Sequence, residues 1–599
     1  MRGQTSSPFL APSGAKKGPV KHDEKLDKPI FINKRNFSRM TTATTVGANS
    51  NKEVNWHSIN WKKAHRIVNR LQARIVKAKQ EGNNGKVRAL QWILTHSFSA
   101  KVLAIRLVTR NQGKKTSGVD GEVWNTPAKK ASAVQQLKRH GYKASPLRRV
   151  YKHAKNGKKR PLGIPTMKDR AMQAIYAMAL DPIAEVTADL NSYAYRKSRG
   201  IHDAIEQVFI IFSRKVSPEW VYEGDIKACF DGINHEWLLT NIPMDKVILQ
   251  KWLKAGYIEK DVFYKTDAGT PQGGIISPIL ANLTLDGLEK EIRQAFPKGR
   301  ENRKVNLVRF ADDFIVSADS QKSLIDEVSP IVENFVGKRG LSLSKEKTHI
   351  THIQHGFNFL GFNIRKYKGK LLIKPSKKNV KAVLCKIREI IKGNKQTTSG
   401  ELIKQLNPII RGWSYNYRHV VSKKTFKSID SVIFKAIWRW CCRRHSNKGK
   451  RWIKNKYFKT IGNRNWVFHG SIKGRGGRKQ EIILFSASQV PIKRHIKVRS
   501  AANPYDQEWE EYFEKRQGYK MVNSPKGTKL LRNLWKRQDG KCPNCDQLIT
   551  VHTGWNIHRI IPGSEGGTYQ STNLSRTQSA TDNFTTKTIV AMLRAHKAR

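Results

Sequence analysis

Three aspartates in two short segments have the types and spacing that phosphoryl-transfer chemistry needs. The segment WVYEGDIKACFDGI has an apolar and aromatic run that ends at Asp225 and is followed by Phe230. The segment VNLVRFADDFIVSA sets Asp312 and Asp313 between two runs of strand type, which predicts a β-hairpin with two acids at its turn. Phosphoryl transfer uses two divalent cations about 4 Å apart, and Mg²⁺ prefers oxygen ligands. An Asp-Asp turn alone is commonplace, but together these segments predict that the three acids converge on two Mg²⁺ ions.

Two further segments contain residues of functional interest. One has cations that can bind phosphates, and the other has glycines that allow close approach of the backbone. Lys155, Lys158 and Arg160 lie in the basic segment KHAKNGKKRPLGIP, where cations could neutralise a triphosphate. The segment AGTPQGGIISPILANL lies between the two acidic segments, and its glycines allow its backbone to approach another chain closely.

The charge of the chain indicates the class of its partner. The 599 residues include 113 Lys and Arg against 46 Asp and Glu, a formal net charge of +67. Such a surplus causes strong self-repulsion unless a polyanion lies against the protein, so we predict nucleic-acid binding. A hydrophobic fraction of 38% excludes a disordered polycation.

Other features of the composition limit where the protein works. No run of about 18 apolar residues exists, which excludes a membrane-spanning helix and argues against a membrane partner. The N-terminal segment lacks the apolar core of a secretory signal. Six unevenly spaced cysteines do not form a disulfide scaffold, which indicates a reducing compartment.

The helices and strands that must position these residues can be predicted from the pattern of apolar and polar residues along the chain. Apolar residues from Ile59 recur at three- and four-residue spacing, and a second helical pattern runs through Val87–Leu107. Residues 145–365 alternate strand-type runs with helical stretches, and residues 376–445 are predicted as helices interrupted at Pro408 and Gly412. Residues 443–499 contain seventeen Lys and Arg residues, one acid and interleaved aromatics, which suits phosphate contacts with base stacking.

Seven segments in a fixed order resemble the successive motifs of a reverse transcriptase of the branch encoded within bacterial and organellar group II introns. They are RPLGIPTMKDR, SYAYRKSRG, DIKACFD, GTPQGGIISPILANL, RFADDFIV, LSLSKEKT and FNFLGF. The resemblance covers roughly residues 55–365. The family usually has Tyr where this chain has Phe310, which loses only a hydroxyl, so we expect activity to survive.

The resemblance implies a multidomain α+β protein. Its parts would be a right-hand polymerase with fingers and palm, a helical thumb/maturase domain, a basic DNA-binding region and a small relict ββα-metal domain of HNH type. The predicted boundaries are 1–52 for a flexible leader, 53–144 for an N-terminal helical extension, 145–370 for fingers and palm, 371–470 for the thumb/maturase domain, 471–535 for the DNA-binding region and 536–599 for the HNH-like domain.

The resemblance also assigns roles to residues of the polymerase. Asp225 and Asp312 would be the principal metal ligands, with Asp313 beside them, and Phe230 would be the aromatic gate that excludes ribonucleotides by its bulk. The remaining assignments are Lys155, Lys158 and Arg160 as triphosphate clamps, Gln272, Gly273 and Gly274 as the loop bordering the nascent base pair, and Phe359, Leu360 and Gly361 as the grip on the primer terminus.

The region after residue 370 resembles the thumb, which clamps the template duplex and binds the intron's own RNA. In QLNPIIRGWSYNYRHV the side chains of Arg411, Trp413, Tyr415 and Tyr417 fit either RNA contacts or core aromatics. For Trp413 and Trp438 we favour the core. For the basic cluster at 443–459, which contains Arg443, Arg444 and Lys454, we favour RNA.

The C-terminal segment CPNCDQLITVHTGWNIHRIIPGSEGGTYQSTNL resembles an HNH endonuclease domain. The family has a His-His pair where this chain has His558-Arg559, and an arginine at the general-base position cannot accept a proton. Cys542 and Cys545 are two thiolates where a structural zinc needs four ligands. His552 offers a third, but the run LSRTQSATDNF after Asn573 contains neither Cys nor His. We therefore expect a degenerate domain without zinc and without DNA cleavage.

The leading hypothesis is a group II intron reverse transcriptase and maturase. It would bind the intron RNA, assist splicing, remain with the lariat as a ribonucleoprotein, and copy the RNA from a DNA primer with dNTPs during target-primed retrohoming. The alternative is a maturase-only RNA-binding splicing factor with an inactive polymerase, against which the three intact acids argue. A reverse transcriptase of phage defence or diversity generation is a further alternative, against which the maturase-like helices argue. We expect a bacterial cytoplasmic protein associated with ribonucleoprotein or the nucleoid, with an organelle and a monomer or dimer on RNA left open.

Overall fold

The computed structural model describes most of the chain between Val54 and Thr577. The described ranges are 54–153, 159–270, 273–297, 304–474, 477, 479–522, 525–546, 548–549 and 555–577. The predictions for Lys155, Lys158, Gln272, His552 and the leader at 1–52 lie outside these ranges, and Arg160 is described by its backbone alone. The chain separates into two compact units, Met1–Val54 and Asn55–Arg599, and every element named below belongs to the second.

Helices and strands alternate along the second unit, which confirms the predicted mixed α+β architecture. The helices are α1 (Trp61–Gln80), α2 (Asn84–His96), α3 (Phe98–Val108), α4 (Pro127–Gln136), α5 (Met167–Thr187), α6 (Ile201–Phe212), α7 (Cys229–Gly232), α8 (His235–Asn241), α9 (Lys246–Leu253), α10 (Ser277–Leu285), α11 (Leu288–Ala295), α12 (Gln321–Ser323), α13 (Ser329–Gly337), α14 (Lys377–Gly393), α15 (Ser399–Tyr417), α16 (Lys423–Arg444), α17 (Lys450–Tyr457), α18 (Glu510–Val522) and α19 (Pro525–Arg537). The strands are β1 (Leu147–His153), β2 (Lys159–Ile164), β3 (Trp220–Asp225), β4 (Tyr257–Glu259), β5 (Val262–Tyr264), β6 (Asn306–Phe310), β7 (Asp313–Ala318), β8 (His349–His352), β9 (Phe357–Phe359), β10 (Phe362–Tyr367), β11 (Lys370–Pro375), β12 (Phe458–Ile461), β13 (Arg464–Lys473), β14 (Lys479–Ile483), β15 (Asn556–Arg559) and β16 (Leu574–Thr577).

The N-terminal helices follow the apolar spacing of the sequence. Helix α1 buries the positions that predicted it, among them Ala64, Val68, Leu71 and Ile75. The prediction of one helical stretch over Val87–Leu107 is wrong, because α2 ends and α3 begins at Ser97. The hydroxyl of Ser97, which has extended backbone, accepts the N–H of Ala100 at 3.1 Å and caps α3.

A four-stranded sheet in the order β6-β7-β3-β8 forms the centre of the second unit. The neighbouring strands in it are antiparallel, and β6 and β7 are the hairpin predicted from VNLVRFADDFIVSA. Val221, Val308, Ile315 and Phe314 are buried on its faces. A second sheet has the strand order β2-β1-β4-β5. Helix α5 follows β2 in the chain, and most of its residues are buried.

Helices α14 to α17 form a helical region after a three-stranded sheet in the order β11-β10-β9. The predicted interruptions at Pro408 and Gly412 are wrong, because α15 continues through both residues. The proline removes one helical hydrogen bond, but Leu406 and Ile410 on either side of it are fully buried in the core. Tertiary burial of this face therefore outweighs the local penalty.

The C-terminal part begins with the antiparallel sheet β12-β13-β14 and ends with α18, α19 and the hairpin of β15 and β16. The buried side chains of Met521, Leu531, Leu534, Ile557 and Leu574 form a small core of their own between these last elements. None of the helices in the described ranges is long and apolar enough to cross a membrane.

Candidate functional site

The three predicted acids meet at one end of the central sheet, and we call Asp225, Asp312 and Asp313 the acidic centre. Strand β3 ends at Asp225, which is paired in register with Asp313 at the start of β7. Ala311 and Asp312 form the two-residue turn between β6 and β7, since Phe310 pairs with Asp313. Ala311 has a φ of 59°, the left-handed backbone that such tight hairpin turns require.

Burial and the mutual repulsion of the carboxylates together raise pKa values in and around the acidic centre. Burial, followed by the charges of Asp312 and Asp225, raises the pKa of Asp313 to about 6. Burial raises the pKa of the nearby Cys229 thiol to about 12, with a further contribution from Asp312. Three acids this close together form a strongly negative site at the end of the sheet.

The donor chemistry of the acidic centre fits Mg²⁺. In the described part of the chain no three or more His, Cys, Asp and Glu side chains are already arranged as a metal site. The three carboxylates are nevertheless the hard oxygen ligands that Mg²⁺ takes. A divalent cation would relieve the repulsion that, after burial, contributes to raising the pKa of Asp313. The ammonium of Lys347 lies 2.7 Å from Oδ2 of Asp225.

A buried arginine supports the hairpin from behind. Arg309 is fully buried in β6, and its guanidinium forms an ion pair with Asp286 just after α10. The same guanidinium donates to the carbonyl oxygen of Ala311 at 3.4 Å. Arg309 therefore connects the turn that carries Asp312 to a buried carboxylate. Sequence reasoning missed this residue, although a cation inside a run of strand-type residues was a signal for it.

Phe230 lies in α7, directly after Cys229, whose thiol is close enough to the acidic centre to respond to the charges of Asp312 and Asp225. Its ring is half-buried and meets the ring of Tyr195 edge to face, with centroids 6.4 Å apart. Its carbonyl oxygen accepts the N–H of Thr270 at 2.6 Å, so the start of the glycine-rich segment packs on α7. Gly269 can make this approach because a Cβ there would lie 2.7 Å from the backbone of Asp231.

The glycine-rich segment reaches β2 of the other sheet within a few residues. Gly273 has a φ of 114°, and a Cβ there would lie 2.6 Å from the carbonyl oxygen of Gly163. Gly274 is buried, whereas Gly273 is exposed. The backbone of Arg160 lies on the same β2, opposite Lys152. The segment therefore connects the acidic end of the central sheet to the strand that follows the predicted phosphate-binding loop.

A tight turn between β9 and β10, which we call the grip turn, contains Leu360 and Gly361. Phe359 and Phe362 pair across it, and Leu360 and Gly361 both have positive φ, of 49° and 86°. The carbonyl oxygen of Gly361 accepts hydrogen bonds from Nδ2 of Asn379 at 3.1 Å and from the hydroxyl of Tyr417 at 3.2 Å. Phe359 is buried, so Leu360 and Gly361 are the parts of the turn that reach the surface.

A cavity of about 1340 Å³, which we call the basic groove, extends from the grip turn to α14 and α16. The described residues that line it include no Asp or Glu and seven cations, which are Arg365, Lys374, Lys377, Lys378, Lys381, Arg388 and Lys424. A groove of this size and charge suits the phosphate backbone of a nucleic-acid strand. Its cations come from four separate elements, β10, β11, α14 and α16, which is why the sequence did not reveal it.

The predicted RNA contacts of the helical region divide into exposed and internal side chains. Arg411 is exposed and stacks over the ring of Phe485 at 5.0 Å, and Arg443 is exposed on α16. Lys454 is exposed on α17 and lies 4.9 Å from the ring of Trp466. The guanidinium of Arg444 instead donates to the backbone carbonyls of residues 395–397.

The aromatic residues of this region mostly serve packing. Trp413 is partly buried with its ring 4.7 Å from that of Tyr417, which is itself buried. Trp438 packs at 5.4 Å against Trp466 and at 5.8 Å against Phe458. The preference for the core at Trp413 and Trp438 agrees with these contacts.

The residues predicted from the nuclease resemblance lie in the C-terminal hairpin of β15 and β16, in its connecting segment and in the turn after α19. Asn573 is buried, and its side chain accepts the N–H of Ile561 at 2.9 Å and donates to the carbonyl of Thr568 at 2.9 Å. His558 lies on β15, with Nδ1 3.3 Å from a carboxylate oxygen of Glu514. Cys542 is buried and Cys545 half-buried in the turn after α19.

Arg559, at the position of the expected base, is enclosed by acids of α18. Its guanidinium forms ion pairs with Glu510 and, at 2.7 Å, with Glu514, and it stacks on the ring of Tyr569 at 4.7 Å. The loop after it packs on α1, where Nδ2 of Asn69 donates to the carbonyl of Gly563 at 2.7 Å. These contacts use Arg559 to attach the hairpin to the rest of the unit.

Comparisons with known families match three consecutive parts of the chain. Residues 150–364 match the model of the reverse transcriptase (RNA-dependent DNA polymerase), and residues 56–137 match the N-terminal domain of reverse transcriptase. Residues 380–458 match the maturase-specific domain of the group II intron. The acidic centre and the grip turn lie in the first of these matches, and most of the basic helical region lies in the last.

Two curated relatives show how far the similarity extends. Protein YkfC of Escherichia coli is 31% identical over 301 residues, which cover 44% of this chain and 79% of that protein. The group II intron-encoded protein LtrA of Lactococcus lactis is 32% identical over 320 residues, which cover 43% of this chain and 53% of LtrA. The chain thus spans most of the length of the first relative and about half of the second.

Proposed function

The chain belongs to the group II intron-encoded proteins, which join a reverse transcriptase to a maturase domain, and from this premise we propose that it both assists the splicing of an intron RNA and copies that RNA into DNA. The observation that carries the polymerase half is the register of β3 and β7. It sets Asp225 opposite Asp313, beside Asp312 in the turn. A protein that only bound RNA would gain nothing from three acids that repel one another.

Each part of the chain has a separate proposed role. The central sheet is the palm, the sheet β2-β1-β4-β5 with α5 is the fingers, and α14 to α16 form the thumb. The region 471–535 contacts target DNA, and the C-terminal hairpin is a relict of an HNH nuclease. Support comes from the position of the basic groove, which opens at the grip turn and continues along α14.

The proposed chemistry is nucleotide transfer to a primer terminus with two Mg²⁺ ions. Asp225 and Asp312 would be the main ligands, with Asp313 beside them, and the bound ions would supply activation of the attacking hydroxyl and stabilisation of the leaving pyrophosphate. Phe230 is the proposed aromatic gate, whose ring would exclude a ribose 2′-hydroxyl by its bulk. Arg160 with Lys155 and Lys158, and Gln272, are the proposed contacts to the incoming dNTP. The grip turn positions the primer end.

The proposed RNA ligand is the intron, bound by the exposed cations of the helical region. Lys454 and Arg443 are exposed on neighbouring helices and carry charges suited to phosphates. Affinity that depends on such contacts falls steeply with salt. After splicing, the protein would stay on the lariat and start copying from a DNA end at the target.

The test uses the full chain with its intron RNA flanked by exons. We expect two results in Mg²⁺: dNTP incorporation from a DNA primer annealed to an RNA template, and faster splicing of the intron at limiting Mg²⁺. Faster splicing without incorporation would leave a maturase-only protein. Incorporation without any preference for the intron RNA would leave a reverse transcriptase of another class.

We expect the protein with its lariat RNA not to nick the opposite strand of a target duplex. Arg559 stands where the general base would act, and an arginine held between two glutamates cannot accept a proton. Gel analysis of a duplex labelled on that strand measures this, with an unrelated nicking enzyme as the positive control. The primer for copying would then come from a nascent strand at a replication fork. Protein-dependent nicks at one position would contradict the proposal.

A further inference from the structure

Lys347 lies in the segment LSLSKEKT and has no role in the sections above, yet both its backbone and its side chain attach it to the acidic centre. The N–H of Ser344 donates to the backbone carbonyl of Asp225 at 2.8 Å, and the N–H of Lys347 donates to the carbonyl of Ser344 at 3.0 Å. This turn delivers the ammonium of Lys347 to Oδ2 of the same Asp225, at 2.7 Å. The segment before β8 is therefore shaped to bring a cation to the end of β3.

The two partners of this ion pair differ in how firmly they are held. The side chain of Asp225 is 16% exposed and fixed at the end of a central strand, whereas that of Lys347 is 65% exposed. A long exposed lysine side chain rotates on a short timescale and is well hydrated away from its partner. Lys347 can thus leave Asp225 while the acid stays in position.

Charge decides when Lys347 stays and when it leaves. Without a cation, the acidic centre holds three carboxylates that repel one another, and the ammonium relieves part of that repulsion. When a divalent cation binds to Asp225, the ammonium and the metal ion become close like charges, which repel in turn. A lysine on Asp225 and a metal ion on Asp225 therefore compete.

We propose that Lys347 is the counter-ion of the acidic centre in the absence of metal, and that it leaves Asp225 when a divalent cation binds. This inference rests on the proposed function, because it needs the acidic centre to be a metal site. Lys347 acts on the metal through Asp225 and is a positioning residue. Replacement of Lys347 by an uncharged residue should raise the affinity of the acidic centre for a divalent cation.

The experiment measures Mn²⁺ binding to the full chain without nucleic acid, by calorimetry and by the loss of the free Mn²⁺ signal in electron paramagnetic resonance. We expect Lys347→Met to bind Mn²⁺ about fivefold more tightly than wild type, a modest factor because the pair is largely exposed. The difference should shrink as salt is raised. Lys347→Arg keeps the charge and should bind as wild type does. The matched control is Lys345→Met, which removes an exposed charge two residues away.

The outcomes separate the inference from the function on which it rests. Unchanged Mn²⁺ affinity in a folded Lys347→Met would overturn the counter-ion role alone, and Lys347→Gln replaces it should the methionine variant not fold. A wild-type protein that binds no Mn²⁺, or binds it equally well after Asp312→Ala, would overturn the metal centre and the polymerase proposal with it.

Discussion

Asp312→Ala is expected to lose at least about a thousandfold in dNTP incorporation on an RNA template while it keeps its affinity for the intron RNA. The turn that carries Asp312 lies beside the paired Asp225 and Asp313, so the substitution removes one of three converging carboxylates. In the proposed function, RNA binding depends on the basic groove and the exposed cations of α16 and α17, which the substitution leaves intact. Loss of one negative charge cannot weaken contacts to phosphate.

Loss of folding is not the expected cause of this result, because repulsion between the carboxylates of the acidic centre lowers the stability of the folded protein. The charge of Asp312 contributes to raising the pKa of Asp313 to about 6, so the two acids repel in the folded protein. Alanine at position 312 removes that repulsion, and we expect an unchanged or raised Tm. Primer extension, filter binding of the intron RNA and a thermal melt measure the three quantities.

A matched control separates the acidic centre from the hairpin as a whole. Asp319 follows the other end of β7, where its carboxylate pairs with Lys304 at 3.3 Å. Asp319→Ala makes the same change next to the same strand and should extend primers as wild type does. Full dNTP incorporation by Asp312→Ala would show that catalysis does not depend on this hairpin. A loss of RNA binding in parallel with the loss of incorporation would mean that the variant is misfolded.

The elements of the acidic centre could be predicted from local pattern, but their pairing could not. Two strand-type runs around Ala311-Asp312-Asp313 specify a hairpin, because the periodicity and the turn lie within one segment. The register that sets Asp225 against Asp313 joins residues 88 positions apart, and no local pattern encodes it. Only the resemblance of the motif order predicted that Asp225 and Asp313 lie close together, because the spacing of the residues carries no such information.

The residues that sequence reasoning missed or assigned differently depend on long-range contacts. Lys347 lies in LSLSKEKT, which the sequence analysis used only as one of the motifs of the resemblance, and its partner is on a distant strand. Arg444 has the sequence context of a phosphate contact, yet its guanidinium binds carbonyls of a loop. Pro408 shows the reverse case, where a strong local breaker is overruled because the helix face around it is buried.

Arg309→Met is expected to lower the free energy of unfolding by about 3–5 kcal/mol, because it leaves the carboxylate of Asp286 buried without its cation. Both side chains are nearly inaccessible, Arg309 at 0% and Asp286 at 6% exposure. Urea denaturation followed by tryptophan fluorescence measures the change. Arg88→Met, at an exposed position, is the control and should lie within about 0.5 kcal/mol of wild type.

The loss should grow with pH. Burial raises the pKa of Asp286 to about 7 even though Arg309 opposes the shift. Without the arginine this pKa rises further, so the folded variant must hold a proton that the unfolded chain releases above its ordinary value of about 4. A folded-state pKa raised above the unfolded one makes stability fall as pH rises between the two. Above pH 7 the wild type has passed this range while the variant has not, so the difference between them should widen by up to about 1.4 kcal/mol for each pH unit.

The double variant Arg309→Met/Asp286→Asn tells a stabilising role from a positioning role. It removes the charge of Asp286 together with that of Arg309, so it should regain much of the lost stability and lose the pH dependence added by Asp286. The recovery is incomplete because the buried carboxyl of Asp189 also loses the neighbouring charge of Arg309. It still lacks the guanidinium that donates to the carbonyl of Ala311, so the turn that carries Asp312 stays without that support. We therefore expect kcat for primer extension to remain about tenfold to a hundredfold below wild type in the double variant, with KM for dNTP little changed. Recovery of kcat along with stability would mean that Arg309 only neutralises Asp286 and does not hold the hairpin.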